Sequence, residues 1–385
     1  MKTALQMTMF HIRNYGSVLQ TYALQKAIET IPGWRCVTLN VRPWNDNGLL
    51  RFDCREEAVV EKRSLMRWLK RLFRIFNLRI VISKMKYLYK LRTYQRPLET
   101  HLEQFLQENI SFTQYYDDAV ALKCNPPKAD VYITGSDQTL NPRFTAGDSN
   151  WFFSFLPEIE KEKRITYAAS IAASALECGV RERYRSELSR YKSLSFREET
   201  GCLCASEMGL VSAHCCDPTL LLDKEFWIAF SAKQKQKNRK PYILTYNLRY
   251  MVDPYPMAEN VERNLQRLFN LPIVRLEERK NMTPYEFVWL LLNAKFITTS
   301  SFHGTAFALQ SGNPFISYVL SDHATDSRVS DLLRKCNAEN HIVEIGEWRE
   351  IDDFSKFESS NVQQKALSSF RQESNAWLRH QLEQF

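Results

Sequence analysis

The stretch FITTSSFHGTAFALQ (296–310) changes character twice within a few residues. Phe296 to Thr299 is a short apolar and β-branched run of the kind that lies buried in a parallel sheet. Ser301, Phe302, His303 and Gly304 follow as a polar turn, and 305–310 returns to helical apolar spacing. A strand, a turn carrying reactive side chains and a helix, in that order, make up half of a βαβ unit. Ligands of open α/β sheets meet the strand ends and helix starts, where backbone N–H groups are free to face anions. A distant stretch repeats the arrangement: Val131 to Ile133 is apolar, and Gly135, Ser136, Asp137 and Gln138 come after it. Two such loops predict an enzyme cleft.

The same alternation continues on both sides of these loops. Apolar runs predict strands at 4–10, 35–41, 131–134, 164–170, 193–196 and 211–215. Val18, Leu19, Tyr22, Ala23, Ala27 and Ile28 form a helical stripe, with further helices expected near 98–108 and 181–191. Residues 233–240 are polar, basic and without apolar anchors, and mark the expected domain boundary. Beyond them, strands are expected at 242–246, 272–276, 314–319 and 341–345, with helices over 255–269, 330–336 and 362–384. Thr283, Pro284 and Glu286 start another helix running to about Ala294. The expected architecture is α/β: two Rossmann-like domains facing across a cleft, their parallel sheets covered by helices on both faces. The domains expected are 1–232 and 241–360, followed by a C-terminal helix over 361–385.

Composition narrows the classes of function. A chain of 385 residues with 44% apolar and 12% aromatic side chains can fill a core for each domain, which excludes general disorder. No apolar run is long enough to span a bilayer, and residues 1–14 lack a long apolar stretch ahead of a small-residue cleavage site, so a cytoplasmic protein is expected. Nine cysteines, an odd number in a chain too large to need stapling, read as thiols. Cys202, Cys204, His214, Cys215 and Cys216 crowd together, but as C-x-C and C-C rather than the paired C-x-x-C of a zinc site, so no metal is expected there.

The net charge of +8 is uneven: residues 62–96 carry twelve Lys or Arg and no acid, contributing +12 and leaving −4 for the remainder. At about 100° per residue, Leu65, Met66, Leu69, Leu72, Phe73 and Phe76 face away from Arg63, Arg67, Lys70, Arg71 and Arg74. Such a basic amphipathic helix, with Trp68 on its flank, is suited to the anionic inner face of a membrane; a solvated helix on its own domain has the same pattern. Nucleic acid is not an expected partner, because no recognition motif accompanies the charge.

Several motifs in order along the chain carry a family resemblance. They are NYGSVLQ (14–20) with YALQ (22–25), GSDQ (135–138) with Asn141, YAAS (167–170), SFRE (195–198), DPTLL (217–221), and SFHGT (301–305) with Phe307, Ala308, Pro314 and Phe315. Together they resemble the polysaccharide pyruvyl transferase family over about residues 1–335. That family usually presents an aromatic residue between GSDQ and Asn, where this chain has Leu140. The resemblance implies two facing Rossmann-like domains of the glycosyltransferase B type. It also implies transfer of a pyruvyl group from phosphoenolpyruvate to hydroxyls of a bacterial surface polysaccharide or its lipid-linked precursor, commonly as a cyclic ketal, with release of phosphate. Phosphoenolpyruvate is then a co-substrate and no further cofactor is implied.

That chemistry can be matched to side chains. The donor carries a phosphate and a carboxylate, so its site needs cations and backbone donors. Forming the ketal requires a proton for the methylene carbon and removal of a proton from the attacking hydroxyl. His303, between a strand end and Gly304, is the expected general acid, because imidazole titrates near neutrality. Ser301 and Gly304 are expected on the donor side, with Arg197 and Arg328 as clamps for its anions. Asp137 is the expected base. Asn14, Tyr15, Gly135, Ser136 and Gln138 are expected on the acceptor side, where planar polar groups read sugar hydroxyls. His323 and His11 are the other histidines placed by the sequence near strand ends, and Asp217, before Pro218, reads as a turn. Two other classes stay open: a sugar transferase of the same architecture using a nucleotide-activated donor, and a non-catalytic scaffold held at a membrane by residues 62–96.

Overall fold

The structure is a computed structural model that describes residues 1–12, 14–41, 50–52, 96–171, 176, 178–234, 240–248, 254–279, 281–320, 327–345, 351 and 353–385. The basic stretch 62–95, His323 and the middle of the expected boundary, 235–239, lie outside these residues. Among the described residues no helix is long and apolar enough to cross a membrane.

Parallel strands paired on both sides and covered by helices are buried on both faces, and the central strands of both sheets are buried along most of their length. β1 (Lys2–Met7), β2 (Trp34–Thr38), β3 (Val131–Thr134) and β4 (Arg164–Thr166) form one parallel sheet in the order β2-β1-β3-β4. β5 (Ser195–Phe196) and β6 (Ala213–His214) extend it through the bridges of Ile165 to Ser193 and Ala169 to Phe196. β7 (Ile243–Tyr246), β8 (Ile273–Arg275), β9 (Phe296–Thr299), β10 (Phe315–Leu320) and β11 (Ile342–Ile345) form a second parallel sheet in the order β11-β10-β9-β7-β8. Each sheet reverses its strand order beside its first strand, between β1 and β3 and between β7 and β9. Crossovers leave such a reversal point in opposite directions and open a crevice at the carboxyl ends, where doubly wound sheets bind ligands.

Helices fill the space between the strands. Asn14 caps the helix Tyr15–Glu29 by accepting the Ser17 N–H at 2.8 Å, and every residue of this helix but Lys26 and Glu29 is buried. A helix buried all round is an interior element rather than an amphipathic cover. The helix Pro284–Asn293 starts as the sequence predicts, with Thr283 accepting the Glu286 N–H and proline at the first helical position. Phe287 of this helix stacks on Tyr15, with ring centroids 4.4 Å apart, and meets Tyr246 and Phe307 edge-on. The largest apolar cluster therefore runs from Val18 and Ile133 of the first half to Leu244, Phe287 and Phe307 of the second without a break. Cys215 and Cys216 lie within that cluster, where burial pushes both thiols up from their ordinary range and leaves them as small apolar side chains.

The final helix, Asn361–Glu383, ties the halves together. Arg371 donates to the Leu220 carbonyl at 2.7 Å and to Gln310 at 2.9 Å, Ser374 accepts the Cys216 N–H, and Ser193 donates to Gln381. Its start is a reciprocal cap in which Ser360 Oγ accepts the Gln363 N–H and Gln363 Oε1 accepts the Ser360 N–H. Replacing Ser360 by Ala removes half of that cap and is expected to cost about 1 kcal/mol. Urea unfolding checks this as a lower midpoint with unchanged slope.

Candidate active site

Five loops from the carboxyl ends of the two sheets converge on a cluster of charged groups. The first follows β3. Gly135 has φ +121°, and a Cβ there would overlap the Tyr167 carbonyl oxygen, so only glycine makes this turn. Ser136 is fully buried and donates its hydroxyl to the Ala168 carbonyl at 2.8 Å. The turn throws Asp137 into the left-handed region at φ 66°, and its carbonyl accepts the Ser170 N–H at 2.8 Å. The carboxylate then faces the start of the first helix, where Ser17 Oγ donates to Oδ2 at 3.1 Å.

Arg197 leaves the end of β5 and lies between two carboxylates. One terminal nitrogen donates to Asp217 Oδ2 at 2.9 Å and the other to Asp137 Oδ1 at 3.2 Å. The guanidinium carbon sits 4.4 Å from the centre of the Phe302 ring, a cation–π contact that crosses from the first sheet to the second. Asp217, beyond β6, caps the short helix Pro218–Leu221; its Oδ1 accepts the Thr219 N–H at 3.0 Å and the Thr219 hydroxyl at 2.7 Å.

The second sheet contributes His303. Ser301 caps the helix Phe302–Ser311, and its own N–H donates to Thr299 Oγ1, which in turn donates to the Tyr246 carbonyl. A Cβ on Gly304 would overlap Thr299 Oγ1, so glycine lets the turn close on this hydrogen-bonded strut. The imidazole is 11% exposed, with Nε2 3.6 Å from Asp217 Oδ2, an ion-pair separation rather than a hydrogen bond. Nε2 has no hydrogen-bond partner among the described residues. The ring packs directly over Gly16 in the first turn of the first helix, leaving no room for a side chain there.

These neighbours determine the charge states. Burial alone would raise Asp217, but the nearby His303 and Arg197, with the bond from Thr219, hold its carboxyl well below the usual carboxylate range. Burial likewise opposes ionisation of Asp137, and Arg197, His303 and Arg328 together outweigh both that and the repulsion of Asp217. Burial works against the Arg197 charge too, yet Asp137, Asp217 and Glu198 raise its pKa, so it stays a cation. Both carboxyls thus ionise more readily folded than unfolded, which is a stabilisation present above the ordinary value of 3.8 and lost as pH falls below it. Stability measured by urea unfolding is expected to owe no pH dependence to this pair between pH 5 and 7 and to fall on acidification below about 4.

Of the residues singled out by the sequence, His303, Asp137, Arg197 and Arg328 come together here. Arg328 reaches the cluster from the first turn of the helix Ser327–Lys335, half-buried and close enough to support the Asp137 charge. Other expected ligands arrive already engaged. Tyr15 donates its hydroxyl to the Met282 carbonyl at 2.8 Å, Asn14 is a helix cap, and Gln138 accepts from Asn141 at 2.6 Å. With the Ser136 hydroxyl given to the Ala168 carbonyl, the hydroxyl hydrogens of Ser136 and Tyr15 are both spent within the fold. The donor-clamp expectation for Arg197 is modified too, because two carboxylates already share that guanidinium. His11 is half-buried with its ring 3.7 Å from that of Phe10. The sequence reading missed Asp217, Gly16 and Ser17. The Asp-Pro-Thr signature of a cap was visible, but the second use of the same carboxylate was not.

Solved structures similar to this chain include three at low sequence identity. A co-structure of S. aureus MnaA with UDP is 12% identical, over 97% of this chain and 91% of that one, with a TM-score of 0.48. The glycotransferase of kitacinnamycin is 11% identical over 100% and 98%, with a TM-score of 0.45. UDP-GlcNAc 2-epimerase from Neisseria meningitidis bound to UDP-GlcNAc is 11% identical over 97% and 94%, with a TM-score of 0.42. No curated protein matches. The polysaccharide pyruvyl transferase model matches residues 14–322, a span that begins at the cap of the first helix and takes in Asp137, Arg197, Asp217 and His303. With most of its length inside that match, this chain belongs to the polysaccharide pyruvyl transferase family.

Proposed function

We propose that the chain transfers a pyruvyl group from phosphoenolpyruvate to two hydroxyls of a sugar in a surface polysaccharide or its lipid-linked precursor, forming a ketal and releasing phosphate. The observation that carries this reading is the His303 imidazole. It packs on Gly16, and its Nε2 stands 3.6 Å from Asp217 Oδ2 without a hydrogen-bond partner among the described residues, where loops of the two sheets meet. An imidazole can give a proton to the methylene carbon of the donor and take one from a hydroxyl.

The charge count assigns the other roles. Asp137 and Asp217 neutralise much of Arg197, so positive charge for the donor's phosphate and carboxylate comes from Arg328 and from the share of Arg197 that an incoming anion takes over. A carboxyl held below its ordinary pKa is a poor base, so Asp137 serves better to fix Arg197 than to remove a hydroxyl proton. The base is then His303 itself: having protonated the methylene carbon, the neutral ring takes the proton of the hydroxyl that attacks the adjacent carbon. A second hydroxyl displaces phosphate from that carbon and its proton leaves with the phosphate, which balances the reaction.

Incubation with phosphoenolpyruvate and a pool of lipid-linked bacterial glycans tests the proposal by measuring inorganic phosphate. Phosphate is expected only when both are present. Turnover of nucleotide sugars in place of phosphoenolpyruvate would contradict it.

A further inference from the structure

One face of the second sheet becomes polar as it approaches its carboxyl edge, although helix Met257–Phe269 covers it as a core. In register, Ile273, Ile243 and Phe296 form the first row of this face, and Arg275, Thr245 and Thr298 form the next. Asn247 follows the end of β7, two residues past Thr245, and Glu277 lies in the 3-10 turn Leu276–Glu278 behind β8, its carboxyl close enough to the Asn247 backbone N–H to be influenced by it. Asn247 is only 2% exposed, and both atoms of its amide are sealed from solvent without a hydrogen-bond partner among the described residues. Both carboxyl oxygens of Glu277 are equally sealed and lack a partner in hydrogen-bond geometry, as does the Thr245 hydroxyl. Folded chains rarely strand so many polar atoms together, because each forfeits bonds made to water before folding.

We infer that Asn247 and Glu277 form a subsite for neighbouring hydroxyls of a sugar ring at the carboxyl ends of β7 and β8. An amide offers two donors and an acceptor, and a carboxyl can accept from two adjacent hydroxyls at once. The neighbouring carboxyls disfavour an anion: Glu262 lies close by, bonded to Arg275 and Tyr255, and Glu278 adds to its effect. Burial first, then Glu262 and Glu278, push the Glu277 carboxyl up to about 7 against the pull of backbone N–H groups at Glu277 and Asn247, so that near neutrality it can also donate. β8 lies two strands from β9, about 10 Å along the sheet edge from the His303 loop. That separation suits a second ring of the substrate that reacts at His303. The inference deepens the pyruvyl-transfer reading, and its test does not require turnover.

Isothermal titration of the full chain, without phosphoenolpyruvate, uses uridine, adenosine and the methyl glycosides of glucose, galactose, mannose and N-acetylglucosamine. At least one probe is expected to bind the wild type and to lose tenfold or more in affinity in both Asn247→Leu and Glu277→Met. A methyl glycoside as the ligand identifies the acceptor glycan as the source of the hydroxyls, and a nucleoside identifies the ribose of a nucleotide-bearing substrate. Failure of every probe to bind, or equal binding by the variants, overturns the subsite. Ligand-free Asn247→Leu is expected to melt at or above the wild-type temperature, since an apolar group of similar shape replaces an unbonded amide; a fall of several degrees would show that the amide is bonded within the fold and also overturn it. Sugar binding without any pyruvyl transfer would contradict the proposed reaction alone. Pyruvyl transfer unaltered in both variants would contradict the subsite alone.

Discussion

Gly16→Ala is expected to leave the chain folded and to lower pyruvyl transfer by about 10² to 10⁴, the loss that follows removal of a general acid. Gly16 lies in the first turn of a helix, where alanine is conformationally at least as favourable as glycine. The side-chain position is the obstacle, because the added methyl would fall within the His303 ring. The imidazole must turn away, losing both its approach to Asp217 and its place at the crevice. His303→Ala is expected to show the same loss, about 3 to 5 kcal/mol of barrier. The double variant should be no worse than either single one, since both remove the same group. Steady-state rates of the three variants, with circular dichroism to confirm folding, check the expectation.

Arg197→Met is expected to reduce stability by about 3–5 kcal/mol, the cost of stripping a buried carboxylate of its partner. Two carboxylates, Asp137 and Asp217, would be left facing each other, with His303 and Arg328 as remaining cations. For a chain whose whole stability is on the order of 5–15 kcal/mol, that is a large share. The pH dependence should also change sign. In the wild type both carboxyls have folded pKa values below the unfolded one, so acid below about 4 destabilises. Without Arg197, burial and mutual repulsion raise the folded values, so lowering the pH from 7 toward 4 relieves the variant and narrows its gap to the wild type. Urea unfolding of both proteins at pH 7, 5.5 and 4.5 reads this directly; a gap that widens on acidification would contradict the assigned charges.

The elements most legible in the sequence are those whose signal is local. Val131 to Thr134 and Phe296 to Thr299 are fully buried strands as their composition requires, and the glycine-bearing turns behind them are where the charged side chains gather. Thr283 with Pro284 announces a helix start because a cap needs only neighbours three residues away, whereas the helix expected over 305–310 begins earlier, at Phe302, with Ser301 as its cap. The short helices Glu199–Glu207 and Lys224–Ser231 went unseen, since fewer than three turns give periodicity too little length to show. What the sequence could not convey is which distant groups share one charge. Arg197 looked like a clamp for an external anion because its internal anions lie 20 and 60 residues away. Tyr15 looked like a sugar ligand because its carbonyl partner lies 267 residues further on. Asp217 looked like a plain turn, since an Asp-Pro pair appears the same in sequence whether the carboxylate meets water or an arginine and a histidine.

The reaction run in deuterium oxide tests most directly the claim that His303 protonates the donor's methylene carbon. Mass spectrometry of the wild-type product is expected to show one deuterium in each new methyl group, while His303→Ala forms that product about 10² to 10⁴ more slowly and binds phosphoenolpyruvate within a few-fold of the wild type. A His303→Ala protein that turns over at the wild-type rate, or a methyl group that carries no deuterium, would contradict the account.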